Sequence, residues 1–249
     1  MAGSPFLVFD FDGVLVDGMA EYWWAASAAA ERLVPGLAWP EPPHPAFARL
    51  RPLIHKGWEM VLMAAELSRP DLDLEGLVAG YREAVPQALA RWGWSEAQLQ
   101  GVLEQVRTEA IATDPAAWLA LHRFYPNVVE RVRQLEAEGS SWAVLTTKGA
   151  AFAREILRGA GLEPQALYGH DQGSKPEVLR RLQADHPRLW FVEDRRPTLE
   201  RVAADPELNA VRCFLVSWGY LGPRDALGLP ARIHWLTPER FAAPLATWP

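Results

Sequence analysis

Phe6-Leu-Val-Phe9-Asp10-Phe11-Asp12-Gly13 decides how this chain folds. Four apolar residues in a row read as a buried strand. Two carboxylates then follow two residues apart, and a glycine closes the run. On an extended backbone, side chains at that spacing point to the same side. Two neighbouring carboxylates repel each other, so the pair calls for a cation. One can attack an electrophile while the other moves a proton, a division of labour that suits phosphoryl transfer through an acyl phosphate.

The rest of the 249-residue chain falls into two kinds of sequence. Residues 18 to about 120 carry almost no strand signal and read as a helical block. Met19–Val34 is expected to be an Ala-rich helix stopped by Pro35, with prolines at 40, 42, 43 and 45 making a rigid connection. A second helix is expected over 46–67, where Trp58, Val61, Leu62 and Ala65 share a face. A third is expected over 74–92, kinked or split at Pro86, and a fourth from Ser95 with Leu99, Val102, Leu103, Val106 and Ala110 as its stripe. Four antiparallel helices of this length can bury a core.

From about residue 121 strands and helices alternate, the rhythm of a parallel sheet. Strands are expected at 142–147, 166–168, 189–192, 211–216 and 233–236, with helices at 126–139, 150–158, 176–184 and from Pro197. The first strand must rejoin this later sheet, so the helical block is an insertion. The fold class is therefore α/β: a Rossmann-like parallel-sheet core over residues 1–17 and 121–249, with an inserted α-helical bundle over 18–120. Ligands in open α/β sheets bind at the carboxyl ends of strands, which is where the Asp pair stands.

Three later segments place a reactive group at such an end. Thr146 follows an apolar run in Val144-Leu-Thr-Thr-Lys-Gly149, and can either hold phosphate oxygens or cap the next helix. Lys175 immediately precedes a helix, where a cation opposes the dipole unless it faces an anion; the plainer reading is surface lysine. Glu193 and Asp194 end the apolar run Leu189-Trp-Phe-Val, as turn acids or as carboxylates needing a partner or metal.

Taken together and in order, Asp10-x-Asp12, Thr146, Lys175 and Glu193-Asp194 resemble the four motifs of the haloacid dehalogenase-like hydrolase superfamily. The string through Asp17 is specific, the helical insertion looks like that superfamily's type I cap, and Arg123-Phe-Tyr-Pro-Asn127 looks like the return to its core. The resemblance implies that Asp10 is the nucleophile and that Asp12 protonates the leaving alcohol and then deprotonates water. It implies that Thr146, with amides near Thr147, holds the phosphate, and that Lys175 offsets its charge. Asp194, Asp10 and the Asp12 carbonyl would bind Mg2+, which independently suits hard oxygen ligands. Many members carry a second acid four or five residues past the last motif; here Thr198 and Leu199 stand there, so Glu193 would serve instead.

The expected function is a Mg2+-dependent phosphatase acting on a small phosphorylated metabolite, of sugar phosphate or phosphoglycolate type. A phosphosugar mutase on the same fold, or a binding protein with weak turnover, are the alternatives. Asp12 argues against a dehalogenase, whose reaction needs neither a proton donor nor a metal. In the helical block Arg49, Arg51, His55 and Lys56 form a basic stretch that could contact substrate, although a solvated helix face is the favoured reading. Arg195-Arg196 is open between substrate contact and surface.

A net charge of -6 gives no sign of nucleic-acid binding or a membrane-seeking surface. The single cysteine, Cys213, allows no internal disulfide and no thiolate zinc site, and reads as a small buried residue. The twelve tryptophans are dispersed, as core or cap packing rather than a ligand box. With a first strand by residue 6 and no apolar stretch near the ~18 residues that span a bilayer, neither a signal peptide nor a membrane span is expected, and a cytoplasmic location is.

Overall fold

The computed structural model describes residues 4–37 and 44–248. Within it the chain divides into two compact units: Met1–Asp17 together with Arg123–Pro249, and Gly18–His122. The first opens with β1 (Phe6–Phe9) and the two-residue β2 (Val16–Asp17). The second contains α1 (Met19–Leu33), α2 (Pro45–Leu50), α3 (Gly57–Leu67), α4 (Leu74–Ala79), α5 (Tyr81–Trp92), α6 (Glu96–Thr113) and α7 (Pro115–Ala120). The chain re-enters the first unit at β3 (Arg123–Phe124). It then runs through α8 (Val128–Ala137), β4 (Trp142–Leu145), α9 (Ala150–Gly159), β5 (Ala166–Tyr168) and α10 (Lys175–Asp185). It ends with β6 (Leu189–Glu193), α11 (Arg196–Ala204), β7 (Arg212–Val216), β8 (Ile233–Leu236) and α12 (Pro238–Ala242).

Six strands form one parallel sheet in the order β5-β4-β1-β6-β7-β8, the Rossmann-like α/β core expected from the sequence. β1 is its centre, and all four of its residues are buried, as a parallel strand covered on both faces requires. Phe6 and Val8 face a core shared with Val178, Leu179, Leu199 and Val202 of α10 and α11. Phe9 meets Trp142 and Phe241 edge-on. Successive strands run outward from β1 on the β4 side and then on the β6 side, so the order reverses at β1. Its carboxyl end is the switch point where such sheets open a crevice.

In the helical unit, Ala25, Ala26, Ala29 and Ala30 of α1 are fully buried, and their small size lets α1 pack closely on α3 and α6. Three buried glutamates stitch helices together. Glu21 on α1 receives both Arg107 Nε and Nη2 from α6, at 2.7 and 2.8 Å. Glu59 on α3 takes the Tyr81 hydroxyl at 2.7 Å, and Glu66 takes Arg69, Arg91 and the Trp92 indole. Partnered this way, buried carboxylates escape the cost of bare burial.

Several boundaries differ from the sequence expectation. The helix expected over 46–67 is two helices, separated by a 3-10 turn at Arg51–Leu53 and extended backbone at Ile54. Pro52 sits in that turn, where its missing N–H cannot continue the helix. The 74–92 segment splits at Gly80, and Pro86 lies inside α5. The helix expected from Pro126 starts at Val128, because Asn127 adopts a left-handed φ of 63°. Short α7 and the β2–β3 pair carried too little pattern to be read. Pro40, Pro42 and Pro43 lie outside the described residues; Pro45 opens α2. Trp23, Trp58, Trp118, Trp142, Trp190 and Trp248 are buried, as is Cys213. No helix among the described residues is long and apolar enough to cross a membrane.

Candidate active site

Asp10 leaves the end of β1 with its N–H still bonded to the Val192 carbonyl of β6 at 2.8 Å, so the strand ladder fixes its backbone. Its Oδ1 accepts the Phe11 N–H at 2.8 Å and the Lys175 ammonium at 2.9 Å. Lys175 is the first residue of α10, and reaches Glu193 Oε2 at 2.6 Å as well. Glu193 ends β6 and is completely buried; its Oε1 accepts the N–H groups of Asp194 and Arg195, each at 3.1 Å. Asp194 Oδ2 accepts the Tyr220 N–H at 2.8 Å.

Asp10, Glu193 and Asp194 therefore converge: each offers a carboxylate oxygen, and these lie within 4.8 Å of one another. Burial is the main reason the Asp10 pKa stands well above its ordinary value; the Glu193 charge adds to it and Lys175 opposes it. Burial likewise raises Glu193, with Lys175 lowering it and Asp194 raising it further. Burial alone would depress Lys175, but Asp10 and Glu193 outweigh it and lift the ammonium above its usual range. Three buried acids against one lysine leave net negative charge in low dielectric, and hard oxygen donors so arranged fit a divalent cation.

Glycine makes the arrangement sterically feasible. A side chain at Gly13, whose φ is +91°, would overlap the Asp194 carboxylate. One at Gly219 would stand 2.5 Å from the Gly13 carbonyl oxygen and overlap Asp194.

Asp12 follows in the turn that brings Val16 back beside it. Its Oδ1 makes no hydrogen bond and stands 3.6 Å from the ammonium of Lys148. Lys148 is buried in the loop after β4, where its N–H bonds Thr146 Oγ1 at 3.0 Å. Thr146 is buried too, and Thr147 is exposed. Sequence reading quoted Lys148 but gave it no part, although a lysine three residues past a buried strand end is a signal in itself. It also passed over Ser217-Trp-Gly-Tyr220, which follows β7 at the same edge of the sheet.

The basic residues weighed as substrate contacts have other partners. In the helical unit Arg49 forms a two-bond pair with Glu75 at 2.8 and 2.9 Å, and Lys56 pairs with Glu96 at 3.3 Å, all exposed. Arg51 lies over the Tyr22 ring, and the His55 N–H donates to Glu59. Arg196 bonds Glu200 and the carbonyls of Arg224, Asp225, Leu227 and Gly228, which makes it a clasp for the loop after β7.

The fold is thus a parallel α/β sheet whose switch point gathers buried acids from two strand ends and a lysine from the start of a helix. The chain belongs to the haloacid dehalogenase-like hydrolase family, whose profile matches residues 6–197. No curated protein gives a match. Among solved structures, a Haemophilus somnus protein named as a predicted phosphoglycolate phosphatase is 17% identical, with a TM-score of 0.62 over 97% of this chain and 96% of its own. A Pseudomonas syringae hydrolase is 16% identical, with a TM-score of 0.59 over 95% of both chains. A Thermotoga maritima protein named as a candidate β-phosphoglucomutase is 17% identical, with a TM-score of 0.56 over 96% of both. At these identities the likeness is one of fold.

Proposed function

We propose that this hydrolase is a Mg2+-dependent phosphatase of small phosphorylated metabolites, of sugar phosphate or phosphoglycolate type. The observation that carries the proposal is the convergence of Asp10, Glu193, Asp194 and Lys175 at the switch point of the sheet. Asp10, Glu193, Asp194 and the Asp12 carbonyl would hold the cation, which when bound supplies positive charge between an anionic nucleophile and an anionic phosphate.

The chain's own groups account for the remaining steps. Lys175 and the Phe11 N–H fix one oxygen of Asp10 and so aim its carboxylate. Asp10 attacks phosphorus, the bond from phosphorus to the alcohol oxygen breaks, and Asp12 gives that oxygen its proton. Water then attacks phosphorus, Asp12 takes the water's proton, and inorganic phosphate leaves with Asp10 restored. Thr146, with amides near Thr147, would hold the phosphate oxygens.

A panel of phosphate esters, assayed with Mg2+, with EDTA and with Asp10→Asn, tests this. Metal-dependent phosphate release that Asp10→Asn abolishes is expected; no release from any ester would refute it. A phosphosugar mutase shares every step up to the acyl phosphate, and fold neighbours bear both names. Product analysis with a hexose monophosphate separates them, since a mutase returns the phosphoryl group to sugar.

A further inference from the structure

The loop that follows β7 is tied down more heavily than a connection between β7 and β8 requires. Its Trp218 indole N–H donates to the Val14 carbonyl at 3.0 Å. Its Tyr220 N–H donates to Asp194 Oδ2, and the Tyr220 hydroxyl donates to Asp17 Oδ1, both at 2.8 Å. Further along, Arg196 gathers four of the loop's carbonyls. Gly219 lets the backbone settle directly on Asp194, where any Cβ would collide.

Two of these bonds belong to one residue and tie the residue after β6 to the end of β2. We infer that Tyr220 is a positioning residue: its N–H orients the Asp194 carboxylate, and its hydroxyl, anchored on Asp17, holds that N–H in place. Asp17 in turn is fixed by the pairing of β2 with β3. An N–H donated to a carboxylate is a charge-assisted bond that selects one rotamer, and it occupies Oδ2. The carboxylate is thereby presented toward Asp10 and Glu193 in a single orientation. Tyr220 is only half-buried, so its packing alone does not explain a hydroxyl aimed at a carboxylate. The inference rests on the reading of Asp10, Glu193 and Asp194 as a cation site.

Mn2+ binding to the full chain, followed by electron paramagnetic resonance without substrate, provides the test. Tyr220→Phe removes only the hydroxyl, and is expected to weaken Mn2+ binding about 10-fold, the low end for an outer partner of a metal ligand. Asp17→Ala should weaken it equally, Asp17→Asn should retain binding because Oδ1 survives as an acceptor, and the Tyr220→Phe/Asp17→Ala double variant should be no worse than either single one. Asp17→Ala also carries the test should Tyr220→Phe not fold. Unaltered Mn2+ affinity in both Tyr220→Phe and Asp17→Ala, with wild-type binding intact, overturns this inference alone. A wild-type chain that takes up no Mn2+ overturns the cation site and the inference with it.

Discussion

Replacing Gly219 with alanine adds one methyl group at the place where the loop after β7 touches the site. The new Cβ would lie 2.5 Å from the Gly13 carbonyl oxygen and 2.9 Å from Asp194 Oδ2. Comfortable contacts need about 3.5 Å, so backbone or carboxylate must yield by about 1 Å. Both obstacles are fixed: Gly13 sits in the turn closed by its bond to Val16, and Asp194 directly follows β6. A displacement of about 1 Å at a reacting centre can cost about 10²-fold in rate. That corresponds to about 2.7 kcal/mol of barrier. Overpacking costs about 1–3 kcal/mol of stability, which a domain stable by about 5–15 kcal/mol survives folded. Phosphate release under saturating Mg2+, read beside a urea melt, should therefore show a folded protein turning over about 100-fold more slowly. Gly101→Ala on α6, where an added Cβ meets nothing within 4 Å, serves as the control and should leave turnover unaltered. A Gly219→Ala enzyme within about twofold of wild type would refute the claim that this loop seats Asp194.

Arg107→Ala takes both guanidinium bonds from the fully buried Glu21, and should cost about 3–5 kcal/mol in urea melts, whereas Glu21→Leu/Arg107→Leu should cost less than that single change. Without metal, stability should fall as pH rises. Between the ordinary value of 3.8 for Asp10 and its raised folded value, the folded chain holds protons that the unfolded chain has released; raised Glu193 acts in the same direction, and Lys175 stays protonated in both states. Melting temperatures in EDTA from about pH 5 upward check this, and a flat or rising curve would count against the buried acid pair. Burial lifts the Cys213 thiol to about 12, so native protein should resist thiol reagents at neutral pH and react only when denatured; fast native labelling would contradict its place in the core.

The features legible in the sequence were those written in a few adjacent residues. Phe6–Phe9 announced a buried strand because nothing polar interrupts it, and Ala166–Tyr168 and Ile233–Leu236 were bounded correctly because turn residues flank them. The acids and Lys175 could be nominated because each stands where an apolar run or helix begins or stops. Pairings between distant segments left no local trace. Glu21 and Arg107 meet across 86 positions, and each alone reads as a surface charge. Asp194 is met by the backbone N–H of Tyr220, a group every residue but proline possesses, so that contact left no trace in residue type. Arg49 and Lys56 could be weighed as substrate contacts, beside the favoured solvated face, because their acidic partners, Glu75 and Glu96, lie far along the chain.

β2 and β3 are antiparallel, with Asp17 directly opposite Arg123. In chain order, then, the whole helical unit stands where a hairpin loop would connect β2 to β3. The two strand ends are already a short loop's width apart, so a two-residue Asn-Gly turn could join Asp17 to Arg123 and excise everything between. A chain so shortened would retain Asp10, Asp12, Glu193 and Asp194 with Lys148 and Lys175, and the architecture thereby separates these groups from whatever the insertion contributes. Evolution can exchange such an insert without redrawing a single strand.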